Sequence, residues 1–135
     1  MTQYKLRILT PEKVFFDGET EQVIAKTTSG NVGILAGHSP YVATIVPSEL
    51  KVRVDGAFRS AAISGGVIKV SLDKTVTILS PAVEWSDEID VARAQRAKEQ
   101  AEKRIKENAS RKEFDLAEQR LKRAVNRLTV SGKRL

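Results

Sequence analysis

The sequence predicts a mainly β protein with an added α-helical part, in which a small β-sandwich or barrel precedes an antiparallel pair of helices. Short apolar segments separated by turn signals fill residues 4–80, a pattern typical of sandwiches and barrels. After Pro81 the apolar residues recur with helical periodicity instead. The 135 residues suffice for one domain with an appendage.

The first strand is predicted from alternation, because Tyr4, Leu6 and Ile8 are separated by the charged residues Lys5 and Arg7. Such a period of two indicates a strand with one buried face. Further strands are predicted at residues 14–16, 21–25, 50–54, 57–63, 67–72 and 75–79.

Turn residues connect these segments. The Asp-Gly pair at 55–56 predicts a hairpin, because both central residues of a type I′ turn need positive φ. The Asp-Lys pair at 73–74 predicts a second hairpin in the same way. We interpret the Asp-Gly pair at 17–18 as a further turn, which ends the strand at residues 14–16.

Two helices are predicted in the last third of the chain. Residues 88–107 contain no Gly or Pro and consist largely of strong helix formers. The Asn-Ala pair at 108–109 interrupts this pattern. Ser110 and Glu113 then match a capping box, so a second helix is predicted at about 111–129.

The apolar residues of both helices form one stripe each, which we call the seam. A short link predicts that the helices fold back antiparallel along it. Because alanine buries little area, at roughly 25 cal/mol per Å², we expect the hairpin to be marginally stable and able to open. The seam residues are Ala94, Ala97, Ala101 and Ile105, then Phe114, Ala117, Leu121, Ala124 and Leu128.

We divide the chain into a β domain, residues 1–84, and a linker with the hairpin, residues 85–135. Charge follows this division. Residues 1–87 contain 9 Lys+Arg and 9 Asp+Glu, whereas residues 88–135 contain 14 and 8. The net charge of +6 therefore lies in the helical third, where we expect an acidic partner to bind.

Several classes of site lack the residues they need. The chain has no cysteine, which excludes disulfides and thiolate chemistry. The single histidine, His38, follows Gly37 in a predicted loop, where it fixes a turn or serves as a ligand or base. No nucleophile, triad or metal-ligand spacing accompanies it, so we expect no catalytic or metal site. We expect no signal peptide, because residues 1–5 have no apolar segment, and no apolar run approaches the ~20 residues that span a bilayer.

Charged residues of the two helices are predicted to meet at the open end of the hairpin. Asp90 and Arg93 are spaced i, i+3, and Arg123 and Arg127 are spaced i, i+4. In an antiparallel pair both sets lie near Glu84 of the linker. Guanidinium groups suit bidentate phosphate binding, so one interpretation is an anion site. The other is a solvated helix face with ordinary ion pairs.

Three strings of residues carry a resemblance to a known family. They are Val-Phe-Phe-Asp-Gly at 14–18, Gly-Ile-Leu-Ala-Gly-His-Ser-Pro at 33–40 and Ser-Gly-Gly-Val-Ile-Lys-Val at 64–70. With them, the chain resembles the epsilon subunit of bacterial-type rotary (F-type) ATP synthases over nearly its whole length. The resemblance implies a β-sandwich of about ten strands followed by a C-terminal helical hairpin.

The resemblance also implies a function. Such a subunit is a non-catalytic part of the central stalk, without a catalytic cofactor, on the cytoplasmic face of the plasma membrane and not inserted in it. Its β domain binds the gamma subunit and the membrane ring of proton carriers, and Gly37 and His38 are expected at a partner contact. Residues 27–32 and 41–44 depart from the family pattern.

In the family, the extended hairpin blocks ATP hydrolysis by the catalytic alpha and beta subunits. By resemblance, the basic residues that meet their acidic surfaces are Arg111, Lys112, Arg120 and Lys122. Some members bind ATP in the folded hairpin through an Ile/Leu-Asp-x-x-Arg-Ala motif, which implies a regulatory ATP site here. The implied residues are Glu84, Ile89, Asp90, Arg93, Ala94, Arg123 and Arg127.

Within this implied site, Arg93, Arg123 and Arg127 would bind the phosphates. Asp90 would orient Arg93 or accept a hydrogen bond from the ribose or base. Two rival interpretations remain at this stage. The basic tail suits a nucleic-acid-binding module, although Phe114 is its one aromatic residue and belongs to the seam. An enzyme on the β scaffold is the other rival.

Overall fold

The computed structural model describes residues 1–107 and 110–132. Within them, ten strands precede a short 3₁₀ turn, Ser86–Glu88, and two helices, α1 (Val91–Glu107) and α2 (Arg111–Gly132). The strands are β1 (Tyr4–Leu9), β2 (Val14–Thr20), β3 (Gln22–Thr27), β4 (Gly30–Ile34), β5 (Tyr41–Ile45), β6 (Ser48–Val54), β7 (Ala57–Ile63), β8 (Gly66–Val70), β9 (Val76–Leu79) and β10 (Val83–Trp85).

All ten strands belong to one hydrogen-bonded sheet that folds over itself as a sandwich. The order is β10-β7-β6-β3-β5-β8-β9-β1-β2, with β4 paired to β3. The β1–β9 pair is parallel and the other pairs are antiparallel. One residue pair, Thr27 with Ile45, joins β3 to β5, so the two halves of the sheet meet at a narrow connection. The predicted sandwich of about ten strands is confirmed.

The core lies between the two halves of the sheet. Tyr4 and Leu6 are buried, while Lys5 between them is exposed, so the alternation predicted for β1 is confirmed. Aliphatic side chains from both halves form a single cluster, and Trp85 closes it beside Phe15, with ring centroids 4.7 Å apart. Burial of this apolar area supplies the main favourable free energy of the fold.

The turn predictions give two confirmations and one correction. Asp55 and Gly56 have φ of 51° and 79°, as a type I′ turn requires, and β8 pairs with β9 across the 73–74 turn. The pair at 17–18 is not a turn. Both residues lie in the edge strand β2, where Asp17 pairs with Arg7 and its Oδ2 lies 3.9 Å from the Arg7 Nε. Cross-strand pairing with β1 overrides the local turn preference.

Both helices are present, with different ends from those predicted. The first begins at Val91 rather than 88, because Asp90 caps it: the Oδ1 of Asp90 accepts the backbone N–H of Arg93 at 3.0 Å. The predicted break at 108–109 lies outside the described residues. The second helix begins at Arg111 as predicted, and it extends past 129 because Val130 and Ser131 are buried.

The helices pack on each other along the predicted seam. Ala94 and Ala101 of α1 and Ala117 and Ala124 of α2 are buried, whereas the larger seam residues are half-buried. Small side chains at the contact bring the two backbones close but bury little apolar area. The hairpin is therefore folded in this structure, with alanine side chains at the centre of the contact between its helices.

The opposite side of α2 packs on the β domain. The amide Nδ2 of Asn126 donates to the backbone oxygens of Ser48, at 2.9 Å, and of Ile63, at 3.2 Å. Below it, Val130 forms a buried apolar cluster with Ala62 of β7 and Ile89 of the linker. The molecule thus has α2 as a middle layer between α1 and the sheet.

Candidate functional site

A charged pair joins the hairpin to the β domain. The Nε of Arg127 donates to the Oε1 of Glu84 at 2.7 Å, and the two side chains are 28% and 37% exposed. Glu84 lies in the short strand β10, which pairs with β7, and Arg127 lies on the last turns of α2. Strand pairing and helix packing therefore bring Glu84 and this arginine together, at the end of the hairpin where the sequence predicted them to meet.

The start of α1 contributes Asp90 and Arg93 to the same place. The carboxylate of Asp90 already accepts the Arg93 backbone N–H, so in this conformation it acts as a helix cap. The Arg93 side chain is exposed. Ile89, just before the cap, is buried against the β domain and anchors the start of the helix. Two residues of the implied motif therefore have evident structural roles.

These side chains line a cleft between the hairpin and the β domain, which we call the hairpin cleft. Its volume is about 470 Å³, within the range of small-molecule sites. Glu84, Asp90, Arg93, Ala94 and Arg127 all line it. The residues that the sequence had not indicated are Thr10, Glu12, Lys13, Pro81, Ala82, Val83 and Ala97.

The residues of the β1–β2 loop are the ones that sequence reasoning missed. Glu12 and Lys13 are about 80 residues from Arg93 along the chain, and only the folding of the hairpin over this loop brings them to the cleft. Neither belongs to a recognisable motif, so no sequence signal indicated them. They add one negative and one positive charge to the cleft wall.

Arg123 does not line the hairpin cleft but lies in an adjoining groove between the two helices. This basic groove has a volume of about 480 Å³ and shares Ala97 and Arg127 with the cleft. Glu107 is its acidic residue, 4.0 Å from Arg104. Its cationic residues are Lys103, Arg104, Arg120, Arg123 and Arg127. Cleft and groove together form one elongated, mainly positive surface.

The four basic residues assigned to catalytic-subunit contacts lie along α2. Arg111 and Lys112 occupy its exposed first turn, beside the Ser110 cap, whose Oγ accepts the Glu113 N–H at 3.1 Å. Arg120 is exposed in the basic groove. Lys122 is also exposed, with its Nζ 3.4 Å from Glu118. All four residues are therefore exposed.

Gly37 and His38 lie in the loop between β4 and β5. The Nδ1 of His38 lies 2.7 Å from the Ser39 oxygen and donates to it when Nδ1 carries the proton. The ring also packs edge-on against Tyr41, at 5.7 Å between centroids. Gly37 has φ of 80°, which favours glycine. These contacts match the interpretation of His38 as a residue that fixes the loop.

An apolar row on the outer face of the sheet was not predicted. It consists of Val67, Leu79, Leu9 and Val14, and each is the register partner of the next across β8, β9, β1 and β2. Val14 and Leu79 are about half exposed, at 54% and 52%. A contiguous apolar row of this kind suits a protein contact.

Within residues 1–107 and 110–132, no cluster of three acidic or histidine side chains has the geometry to hold a metal ion. No helix in the same ranges combines the length and apolar character that a bilayer crossing requires.

Both parts of the chain match domain models of a known protein family. The model for the β-sandwich domain of the ATP synthase delta/epsilon chain matches residues 3–86, and that for its long α-helix domain matches residues 87–132. The ATP synthase epsilon chain of Ruminococcus albus is 67% identical over 134 residues, covering 99% of this chain and 100% of that protein. The ATP synthase epsilon chain of Caldanaerobacter subterraneus subsp. tengcongensis is 44% identical over 131 residues, covering 96% of this chain and 94% of that protein.

Solved structures share the fold. A chain of the Euglena gracilis mitochondrial ATP synthase matches with a TM-score of 0.75 at 23% identity, over 90% of this chain and 77% of that one. A chain from the central stalk and c-ring of the Tetrahymena thermophila mitochondrial ATP synthase matches with a TM-score of 0.62 at 19% identity. The match covers 96% of this chain and 97% of that one. Matches to both domain models and 67% identity across the full length show that the chain belongs to the family of ATP synthase epsilon chains.

Proposed function

We propose that this chain is a non-catalytic subunit of the central stalk of a proton-translocating ATP synthase, on the cytoplasmic face of the membrane. Its β domain binds the gamma subunit and the membrane ring, and its hairpin inhibits ATP hydrolysis when it extends. Family membership over both domains supports this proposal and favours it over a nucleic-acid-binding module. The two structural matches come from an OSCP/F1/c-ring assembly and from a central stalk/c-ring assembly of mitochondrial ATP synthases.

The apolar row on the outer sheet face is the surface best suited to the gamma subunit. Its exposed aliphatic side chains would be buried by a protein partner, with a gain of roughly 25 cal/mol per Å². Leu79→Glu should therefore weaken binding of the chain to the gamma subunit. Leu72→Glu is the control, since Leu72 is exposed but lies outside the row. If both variants bound the gamma subunit equally well, the apolar row would be excluded as its binding surface.

For the folded hairpin we propose a regulatory ATP site formed by the hairpin cleft and the basic groove. The observation that carries it is the convergence of Arg93, Arg123 and Arg127 from two helices onto one connected surface. Guanidinium groups bind phosphate oxygens in bidentate fashion. Asp90 contributes by capping α1, which holds the Arg93 backbone in place.

Inhibition then follows from two states of the hairpin. Folded, the helices bury their alanine seam and hold the proposed ATP site together. Extended, the basic side chains of α2 are free to bind acidic surfaces of the catalytic subunits. A ligand that binds only the folded state shifts the balance by RT ln(1 + [L]/Kd). Abundant ATP therefore favours the relaxed form, and scarce ATP favours inhibition.

Calorimetric titration of the full chain with ATP, with and without Mg²⁺, tests the nucleotide site. Arg93→Ala and Arg127→Ala should each weaken binding at least tenfold, because charged hydrogen bonds contribute about 1.5–3 kcal/mol each. Arg96→Ala is the matched control: the residue is equally cationic and exposed on α1, but it lines neither cleft nor groove. Equal losses in all three variants would indicate a nonspecific charge effect, and no binding at millimolar ATP would refute the site.

Reconstitution with the alpha, beta and gamma subunits tests inhibition. Addition of this chain should lower ATP hydrolysis. Combined replacement of Arg111, Lys112, Arg120 and Lys122 by glutamine should restore it, because the extended helix loses its charge complementarity. If addition of the unmodified chain left the rate of ATP hydrolysis unchanged, the inhibitory role would be contradicted.

A further inference from the structure

The second helix has two different buried sides. Ala117 and Ala124 face α1, while Asn126 contacts the β domain about 180° around the helix from Ala117. Extension of the hairpin must therefore break two interfaces rather than one. The contact between the helices is apolar, with alanines at its centre, whereas the contact with the sheet has a specific polar component.

Part of that polar component is the side chain of Asn126, which lies beside the Arg127–Glu84 pair. The two N–H bonds of the Asn126 amide have two acceptors, the backbone oxygens of Ser48 and Ile63. Ser48 and Ile63 are register partners at the end of the β6–β7 ladder, so one amide group bridges two adjacent strands. This geometry is satisfied at one rotational setting of α2, because a rotation of the helix removes the amide from both carbonyls.

The same setting determines the position of the neighbouring arginine. Arg127 follows Asn126 by one residue, about 100° around the helix, and at this setting its Nε reaches Glu84 at 2.7 Å. Val130, one turn beyond Asn126, enters the apolar cluster with Ala62 and Ile89. A shift of α2 would misplace all three contacts together.

From this we propose that Asn126 is the positioning residue that holds α2 on the β domain in one register and thereby sets the balance between the docked and undocked hairpin. It binds no ligand itself. Its effect on nucleotide binding and on inhibition rests on the function proposed above, whereas its effect on docking does not.

The absence of cysteine from the sequence allows a direct test on the full chain. Ala62 is covered by Val130 and the linker, so a thiol introduced by Ala62→Cys becomes reactive when α2 leaves the sheet. Ala61, the preceding residue of β7, is buried in the sandwich core instead. A thiol introduced by Ala61→Cys therefore reports opening of the β domain. The rate of labelling by a soluble disulfide reagent measures each opening.

Asn126→Ala should raise the labelling rate at position 62 about tenfold or more, because two partly buried hydrogen bonds are lost. Asn126→Asp, which keeps the shape but replaces the donor by acceptors, should raise it at least as much. Gln119→Ala, at an exposed position of the same helix, should leave it unchanged. Labelling at position 61 should stay constant throughout.

An unchanged rate at position 62 in both Asn126 variants would overturn the proposal. Equal increases at positions 61 and 62 would also overturn it, because they would show a general loss of β-domain stability. Labelling in the presence of ATP distinguishes a failure of this inference from a failure of the proposed nucleotide site. Saturating ATP should slow labelling at position 62 by the factor 1 + [ATP]/Kd. Failure of ATP to do so would count against the nucleotide site, while the comparison of Asn126 variants without ATP decides the docking role.

Discussion

Arg127 and Glu84, 43 residues apart in the chain, form an ion pair between the hairpin and the β domain, with 2.7 Å between Nε and Oε1. The pair links α2 to β10 and lies on the wall of the hairpin cleft. The same arginine therefore contributes to docking of the hairpin and to the proposed phosphate site.

Loss of this pair should weaken docking moderately. Glu84→Gln is expected to increase undocking about threefold, since partly exposed pairs contribute up to about 1 kcal/mol. Thiol labelling in the Ala62→Cys background measures the change. The effect should shrink at high salt, because screening acts on exposed charges. An increase that does not depend on salt would show that packing, rather than charge, is responsible.

Two substitutions of Asp90 should separate its capping role from ligand binding. Asp90→Asn keeps a side-chain oxygen for the Arg93 N–H, so helix content and ATP affinity should both stay close to those of the unmodified chain. Asp90→Ala should cost about 1 kcal/mol of helix stability and weaken ATP binding. Circular dichroism and calorimetry measure the two effects. Loss of ATP binding in Asp90→Asn with an intact helix would instead assign the carboxylate to the ligand.

Gly66 should tolerate no side chain. Its φ is 141°, and a Cβ there would collide with the backbone oxygen of Leu79 on the paired strand β9. Gly66→Ala is expected to lower the free energy of unfolding by about 3 kcal/mol or more. Gly56 is the matched control, because its φ of 79° also disfavours alanine but the space around it is open. Gly56→Ala should cost only about 1 kcal/mol. Urea unfolding compares the two.

Glu21 should make the β domain sensitive to acid. The Gly56 N–H, which donates to its Oε1 at 2.6 Å, holds the pKa of Glu21 below its ordinary value of 4.5, with help from the N-terminal ammonium and Arg53. A lowered folded-state pKa means that this stabilisation is complete above the unfolded pKa and is lost as the pH falls through the folded pKa.

Glu21→Gln should therefore destabilise the chain at neutral pH and flatten the decline in unfolding free energy below about pH 4.5. Urea unfolding at several pH values checks this. Glu19→Gln, an exposed change on the neighbouring strand β2, should leave the acid dependence as it is. Parallel curves for the unmodified chain and Glu21→Gln would contradict the assignment.

Local signals predicted the elements whose conformation depends on neighbouring residues. The Asp-Gly turn at 55–56 and the Ser110 cap follow from backbone preferences of a few adjacent residues, and both are present. The Asp-Gly pair at 17–18 has the same local preference, yet its pairing with β1 holds it in a strand. Asp90 was interpreted as a possible ligand, although its place directly before α1 already suited a cap.

The candidate site was likewise predicted only in part from the sequence. Spacing and antiparallel packing were enough to bring Asp90, Arg93 and Arg127 near Glu84. They were not enough to show that Arg123 lies in the adjoining groove rather than in the cleft, or that the β1–β2 loop lines the cleft. Asn126 carried no sequence signal, because its partners are backbone oxygens 78 and 63 residues away, which any residue type supplies.

The sequence by itself determined the fold class, the β domain followed by two helices, the alanine seam and the excess positive charge of the last third. These properties follow from periodicity, local backbone preference and composition, which act over a few residues. The tertiary structure alone decided which side of α2 meets the sheet, which carbonyls Asn126 binds and how Arg127 reaches Glu84. Those contacts depend on the register of a helix against strands far away in the chain, and that register is set by the packing of the whole molecule.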